Sequence, residues 1–318
     1  MTTAKLPAWA SQRVSRRHEK FIQAALFLCA ALSVLTTAAI ILVLVTNAVY
    51  APGDKTAFFE RVSLWEFVSG THWKPTDGAD ARFGILPLLC GTLMVAVIAS
   101  LVSVPAGLGA SIYMSEYASP REREFLKPIL EILAGIPSVV YGFFGLKFIT
   151  PWILKPLFSL VGIDLPIFNA LSAGIVVGIM VTPLIASLSE DVIRSVPRSL
   201  REAAYALGST RFDVSARIVV PAALSGILAA FLLAFSRAIG ETMAVAITGG
   251  QRAIATLNPM EGAQTMTGFM VHASTGDSAA DSISRMSIYA VGIALFVITL
   301  TINIISGWIL RRYREVYQ

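Results

Sequence analysis

The chain has 318 residues, 55% hydrophobic and 14% charged, a formal net charge of +5 and a mean hydropathy of +0.71. Soluble domains carry roughly 25% charged residues, so an ordinary soluble enzyme or binding module is excluded and the sequence reads as an integral membrane protein. Cys29 and Cys90 both fall in apolar runs, which argues against a disulfide framework and for small core residues.

Residues 1–20 are polar and basic, with Arg13, Arg16, Arg17 and Lys20, and are expected to be cytoplasmic. An uncharged run follows over 21–46. A secretory signal has an apolar core of about 7–15 residues, so this run is too long for one and predicts a retained first spanning helix. Residues 47–84 are mixed, with Pro52, Trp65, Trp73 and Gly78, and predict an extracytoplasmic loop with a short helix around Phe58–Phe67. Further apolar runs at 85–113, 128–149, 167–189, 218–248 and 286–310 bring the expected spans to six, each near the length of about 20 residues that crosses the hydrocarbon core. The expected class is therefore all-α and polytopic, with a five-helix core over 85–310 and a short tail at 311–318.

An even number of spans puts both ends on one side, and short cytoplasmic loops collect Lys and Arg. Sixteen of these residues fall at the termini and in the loops near 121–127 and 194–217, and eight fall on the opposite side, with Arg237 inside a span. Both termini are predicted to be cytoplasmic.

Two spans depart from a plain lipid-facing helix. Around Ala134-Gly-Ile-Pro-Ser-Val-Val-Tyr-Gly142, Pro137 removes a backbone donor, and Ser138 and Tyr141 offer hydroxyls that could meet a ligand or bond across helices. Around Arg237-Ala-Ile-Gly-Glu-Thr-Met-Ala-Val245 two charges lie in the middle of an apolar run. A charged residue at the centre of a spanning helix costs about 2.5–3.5 kcal/mol on insertion scales, so it normally faces a polar interior and pairs. Residues four apart share a helix face, so Arg237 and Glu241 are expected to meet, either as a structural pair or as part of a site with Thr242. His18, His72 and His272 all lie outside the apolar runs, so a rhomboid-like intramembrane protease, which needs a Ser and a His within its spans, is disfavoured.

Between the fourth and fifth spans, residues 195–217 read as helix, tight turn, helix. Pro197 suits a first helical position, Gly208 a helix stop, and Ser209 or Thr210 followed by Asp213 a new start. Leu200, Ala203, Ala204 and Leu207 are expected to form one apolar ridge suited to a soluble partner's groove.

The string Glu202-Ala-Ala204, then Gly208, then Ile218-Val-Val-Pro221 resembles the EAA motif of ABC import permeases, with Val220 where that family has Leu. Within the family, segments 134–142 and 237–245 look like the phosphate-specific PstC branch, and the sister PstA branch shares similar segments. The resemblance covers about residues 85–310 and implies a type I importer permease fold in the bacterial inner membrane. It implies coupling to an ATPase through Glu202, Ala203, Ala204 and Gly208, and a phosphate path at Arg237, Glu241, Thr242, Ser138 and Tyr141. The implied partners are a PstA-like second permease, a homodimeric PstB-like ATPase, a PstS-like phosphate-binding protein, membrane lipid and inorganic phosphate, with no nucleic acid. No Walker A string G-x-x-x-x-G-K-[ST] is present, so neither enzymatic activity nor a resident cofactor or metal is expected here, and ATP and Mg would belong to the ATPase. Sulfate or molybdate is the alternative cargo.

Overall fold

The computed structural model describes residues 16–50, 57–75, 80–276 and 282–312. Most of the basic segment expected at 1–20, stretches of the loop expected at 47–84 and the end of the tail lie outside these residues.

Helix α1 (Arg16–Val49) is followed by two short helices, α2 (Phe58–Arg61) and α3 (Leu64–Ser69), where the sequence predicts one. A small antiparallel hairpin, β1 (Trp73–Lys74) with β2 (Arg82–Phe83), closes the segment at 57–84. Phe58, Phe67, Trp73, Phe83 and Phe269 stack edge to face beneath it, with ring centroids 4.9–6.5 Å apart. This aromatic cluster explains why so mixed a segment is ordered: each such ring buries a large apolar area.

Helix α4 (Leu86–Ile112) runs into a π-helical turn at Tyr113–Tyr117. Helix α5 (Pro120–Gly135) ends at a break, and α6 (Ser138–Phe144) continues through a π-helical stretch into α7 (Lys155–Ser159) at 90° to α5. The run expected as one span at 128–149 is therefore bent. Pro137 supplies the reason, since it lacks an N–H and disfavours helical geometry in the residue before it, and Ile136 is extended (ψ 130°). Helix α8 (Ala170–Ser195) runs without a break, and the loop at 195–217 forms α9 (Arg198–Ala206) and α10 (Arg211–Val214). A π turn and α11 (Val220–Ala222) lead at 71° into α12 (Leu224–Ile239), followed by α13 (Met243–Thr248), α14 (Met266–Thr275) and α15 (Ile283–Arg312).

Among the described residues, four helices are long and apolar enough to cross a membrane, and the two bent pairs, each counted as one span, bring the number to six. Helices α4 and α8 form the central contact. Gly174 and Gly178, one turn apart on α8, let α4 approach so closely that a Cβ at 174 would lie 2.5 Å from Ile98 Cβ and one at 178 would lie 2.9 Å from the Ala99 carbonyl. Small residues four apart are how helices pack in lipid, where no hydrophobic force drives them together. The core around this contact holds Val95, Val176, Val177, Ile185, Ala234 and Ile239. Helix α1 is different: its apolar window is unburied, and it meets α15 where Leu44 packs over Gly292.

Candidate functional site

The expected pairing of Arg237 with Glu241 on one helix face is not what the fold produces. Helix α12 stops at Ile239 with Gly240 as its cap, and α13 begins at Met243. The four-residue spacing therefore crosses a break, and among the described residues no carboxylate lies within ion-pair distance of the exposed Arg237. Each charge instead sits where a helix end favours it. Arg237 occupies the last turn of α12, near the negative end of its dipole, and Glu241 precedes α13, where its Oε1 accepts a hydrogen bond from the Ala244 N–H at 3.3 Å. The half-buried Thr242 donates from Oγ1 to the Gly240 carbonyl at 3.2 Å, and Thr267 Oγ1 donates to the Glu241 carbonyl at 2.7 Å, so the break is held by hydroxyls from two elements.

Helix α6 lies along α13. A Cβ at Gly142 would meet Ala244 and Ile247 at 3.1 Å, and one at Gly145 would meet Thr248 at 2.6 Å. The two helices run in the same direction, so the Pro137 break and the Gly240 break stand at the same end of the pair. Ser138 opens α6 half-buried, and its hydroxyl makes no hydrogen bond among the described residues. Tyr141 is buried and donates its hydroxyl to the Leu133 carbonyl at 2.8 Å, across the bend from α6 to α5. The same carbonyl also accepts the Ile136 N–H at 3.3 Å, so a backbone and a side-chain donor share it at the end of α5.

The loop at 195–217 follows the predicted pattern more closely. Gly208 adopts φ +84°, Ser209 N–H bonds to the Ala204 carbonyl at 3.1 Å and Gly208 N–H to the Tyr205 carbonyl at 2.9 Å, the paired bonds of a Schellman stop. Thr210, rather than Ser209, caps α10, accepting from the Asp213 N–H at 3.2 Å. The apolar ridge is divided. Ala204 is buried and Leu200 packs with it against Ile193, Val214, Val219 and Ile227, while Ala203 is exposed and Leu207 is 88% exposed. Glu202 is exposed as well. The geometry thus assigns the inner half of the ridge to this chain and leaves Glu202, Ala203 and Leu207 on the outside.

Two features escape a reading of the sequence. Arg201 anchors the loop: its Nη2 reaches Glu116 at 3.0 Å and the Ile193 carbonyl at 2.8 Å, and its Nη1 the Val196 carbonyl at 2.6 Å. Glu190, fully buried, is held by Arg123 at 2.7 Å and Lys127 at 3.0 Å, which fastens α5 to α8. Neither partner is close in sequence, so only an acid at the end of an apolar run signalled Glu190. Ser236, beside Arg237, donates to Asn303 Oδ1 on α15 at 3.0 Å, and Asn303 was visible as a polar residue within the last span.

Residues 103–315 match the family described as binding-protein-dependent transport system inner membrane component. The chain is 34% identical over 247 residues to the probable ABC transporter permease protein YqgH of Bacillus subtilis, covering 78% of each. It is 32% identical over 293 residues to the phosphate transport system permease protein PstC of Mesorhizobium japonicum, covering 87% of this chain and 88% of that one. In fold it resembles a chain of a bacterial alginate ABC transporter, solved with an alginate pentasaccharide-bound periplasmic protein, at a TM-score of 0.64 and 15% identity over 96% of this chain and 100% of that one. With a family match over most of its length, two-sided coverage of its relatives and bent membrane helices around an EAA-type loop, the chain belongs to the inner membrane components of binding-protein-dependent transport systems.

Proposed function

We propose that this chain is a membrane permease subunit of an ATP-driven importer of inorganic phosphate. The observation that carries the reading is Arg237: a guanidinium within a span, freed from Glu241 by the helix break and without a carboxylate partner among the described residues. A relative named as a phosphate permease, similar over 87% of this chain, supports the choice of anion. The physical logic is direct. A guanidinium offers several N–H donors in a planar fork that matches a tetrahedral oxyanion, and a charge at this depth is costly unless an opposite charge visits it.

In this reading Arg237, Thr242 and Ser138 line the path, Glu241 accepts a hydrogen bond from the proton that phosphate retains near neutral pH, and Tyr141 holds the bend. A PstA-like second permease completes the path and supplies a further cation, since one arginine does not offset a divalent anion. A homodimeric PstB-like ATPase binds ATP and Mg and docks on Glu202, Ala203, Ala204 and the Gly208 turn. A PstS-like protein delivers phosphate from outside, and both termini face the cytoplasm of a bacterial cell.

The test is R237Q in the assembled complex. The amide keeps length and donors and loses the charge, so ATP-driven phosphate uptake should fall to background with assembly intact. Undiminished uptake would overturn the assignment, and loss of assembly would make Arg237 a structural residue.

A further inference from the structure

The tendency of basic residues to collect on the cytoplasmic side explains where Arg194, Arg198 and Arg201 lie, but not why they converge. Together with Arg123, Ser115 and Glu116 they line a cavity of about 380 Å³ between the end of α4, the start of α5, the end of α8 and the coupling helix α9. That size falls in the range of about 300–1,000 Å³ typical of small-ligand sites.

The donors in this cavity are not all in use. Arg201 is committed to Glu116 and to two backbone carbonyls, and Ser115 donates to the same Glu116 at 3.1 Å. Arg123 uses its Nε on Glu190, which leaves both Nη groups without a bond among the described residues. Arg194 approaches the same carboxylate only at 3.6 Å, with its side chain 44% exposed. Arg198 makes no ion pair or hydrogen bond among the described residues. Glu190 is also shared with Lys127, so one carboxylate serves three cations. Four guanidinium groups thus meet two carboxylates, and the cavity keeps an excess of positive charge with a set of open forks. Converging like charges destabilise a site unless an anion enters it, and forked guanidinium groups select an anion with several oxygens.

We propose that this cavity binds a phosphate-type oxyanion, carried by an anionic lipid headgroup or present as free phosphate on the cytoplasmic side, and that its occupant ties α9 to the membrane helices. Basic pockets on the cytoplasmic side of membrane proteins hold headgroups in this way. The site rests on the cavity alone. Its consequence, an occupant that stiffens the coupling helix, rests on the transport reading.

The experiment therefore reads binding without transport. Amide hydrogen exchange over residues 198–206 is followed in the assembled transporter in nanodiscs. One arm uses phosphatidylcholine and millimolar inorganic phosphate, with potassium chloride at equal ionic strength as control. The other uses phosphatidylglycerol without phosphate. R198Q removes the guanidinium that has no partner, so no ion pair of the fold is lost, and R198K keeps the charge. Exchange in α9 should slow severalfold in at least one arm of the wild type, little or not at all in R198Q, and in part in R198K. Slowing by phosphate identifies the free ion, and slowing by phosphatidylglycerol identifies the headgroup. Equal exchange in every condition, slowing by chloride alone, or R198Q behaving as wild type would overturn the site. Protection already complete in phosphatidylcholine without phosphate would also overturn it, in favour of acidic groups of the ATPase.

Discussion

Replacing Gly208 tests whether a single backbone conformation carries coupling. Gly208 sits at φ +84° with no atom within 4 Å of the position a Cβ would take, so a substitution there meets no clash and its cost is purely conformational. For an L-residue the left-handed region costs about 1–2 kcal/mol, less for Asn and more for a β-branched residue. Against this stand the two turn bonds, Ser209 to Ala204 and Gly208 to Tyr205. At about 1 kcal/mol net for each bond, their sum is comparable to the strain. The turn is solvent-exposed, with Leu207 88% exposed, so the core does not force it closed. Alanine should therefore leave the turn closed in about half or more of the molecules, and valine, with its larger strain, in fewer, while α9 stays attached through Arg201 and Ala204. Uptake by proteoliposomes, normalised to assembled complex, should fall in the order Gly, Asn, Ala, Val, while membrane insertion is unchanged. A valine variant that transports as well as the wild type, or an asparagine variant worse than alanine, would refute the reasoning.

Three further outcomes can be measured. Glu241→Gln removes a charge that sulfate would meet as repulsion and that the hydroxyl of phosphate can use as an acceptor, so sulfate passage should rise relative to phosphate; if both rates drop together with unchanged selectivity, Glu241 is only a partner for the start of α13. Gly178→Ala pushes a Cβ to 2.9 Å from the Ala99 carbonyl and 2.8 Å from Val102 Cβ, so α4 and α8 must separate. Overpacking of this kind costs about 1–3 kcal/mol, and the detergent-solubilised complex should melt at lower temperature; an unchanged Tm would mean the two helices are not closely packed. Cysteine at position 54 or 277, both outside the described residues, should react with an impermeant reagent from outside, whereas cysteine at 209 should react only after the cells are opened; labelling of 209 in sealed cells would reverse the topology.

How much of this was legible in the sequence depended on whether the interaction was local. The six apolar runs, the Pro137 bend and the Gly208 stop follow from hydrocarbon thickness, a missing N–H and a positive φ, which act over a few residues. The EAA string was legible as a resemblance to import permeases, and the family match over 103–315 agrees with it. The Arg237 and Glu241 relation was misjudged because hydropathy says a segment is buried without saying that it is one helix. Gly240 ends α12, and the close packing of α13 against α6 at Gly142 gives the two half-helices a place to stand apart. The divided ridge of α9 has the same origin, since periodicity defines an apolar face but tertiary packing decides which half this chain covers itself.

The chain by itself thus determined its medium, its number of apolar runs and the local shape of its loop, because each is set by neighbours in sequence. Only the tertiary structure decided which charges pair. Arg123 with Glu190 and Arg201 with Glu116 lie 67 and 85 positions apart, and separations of that size become contacts only when α4, α5, α8 and α9 converge at one end of the molecule.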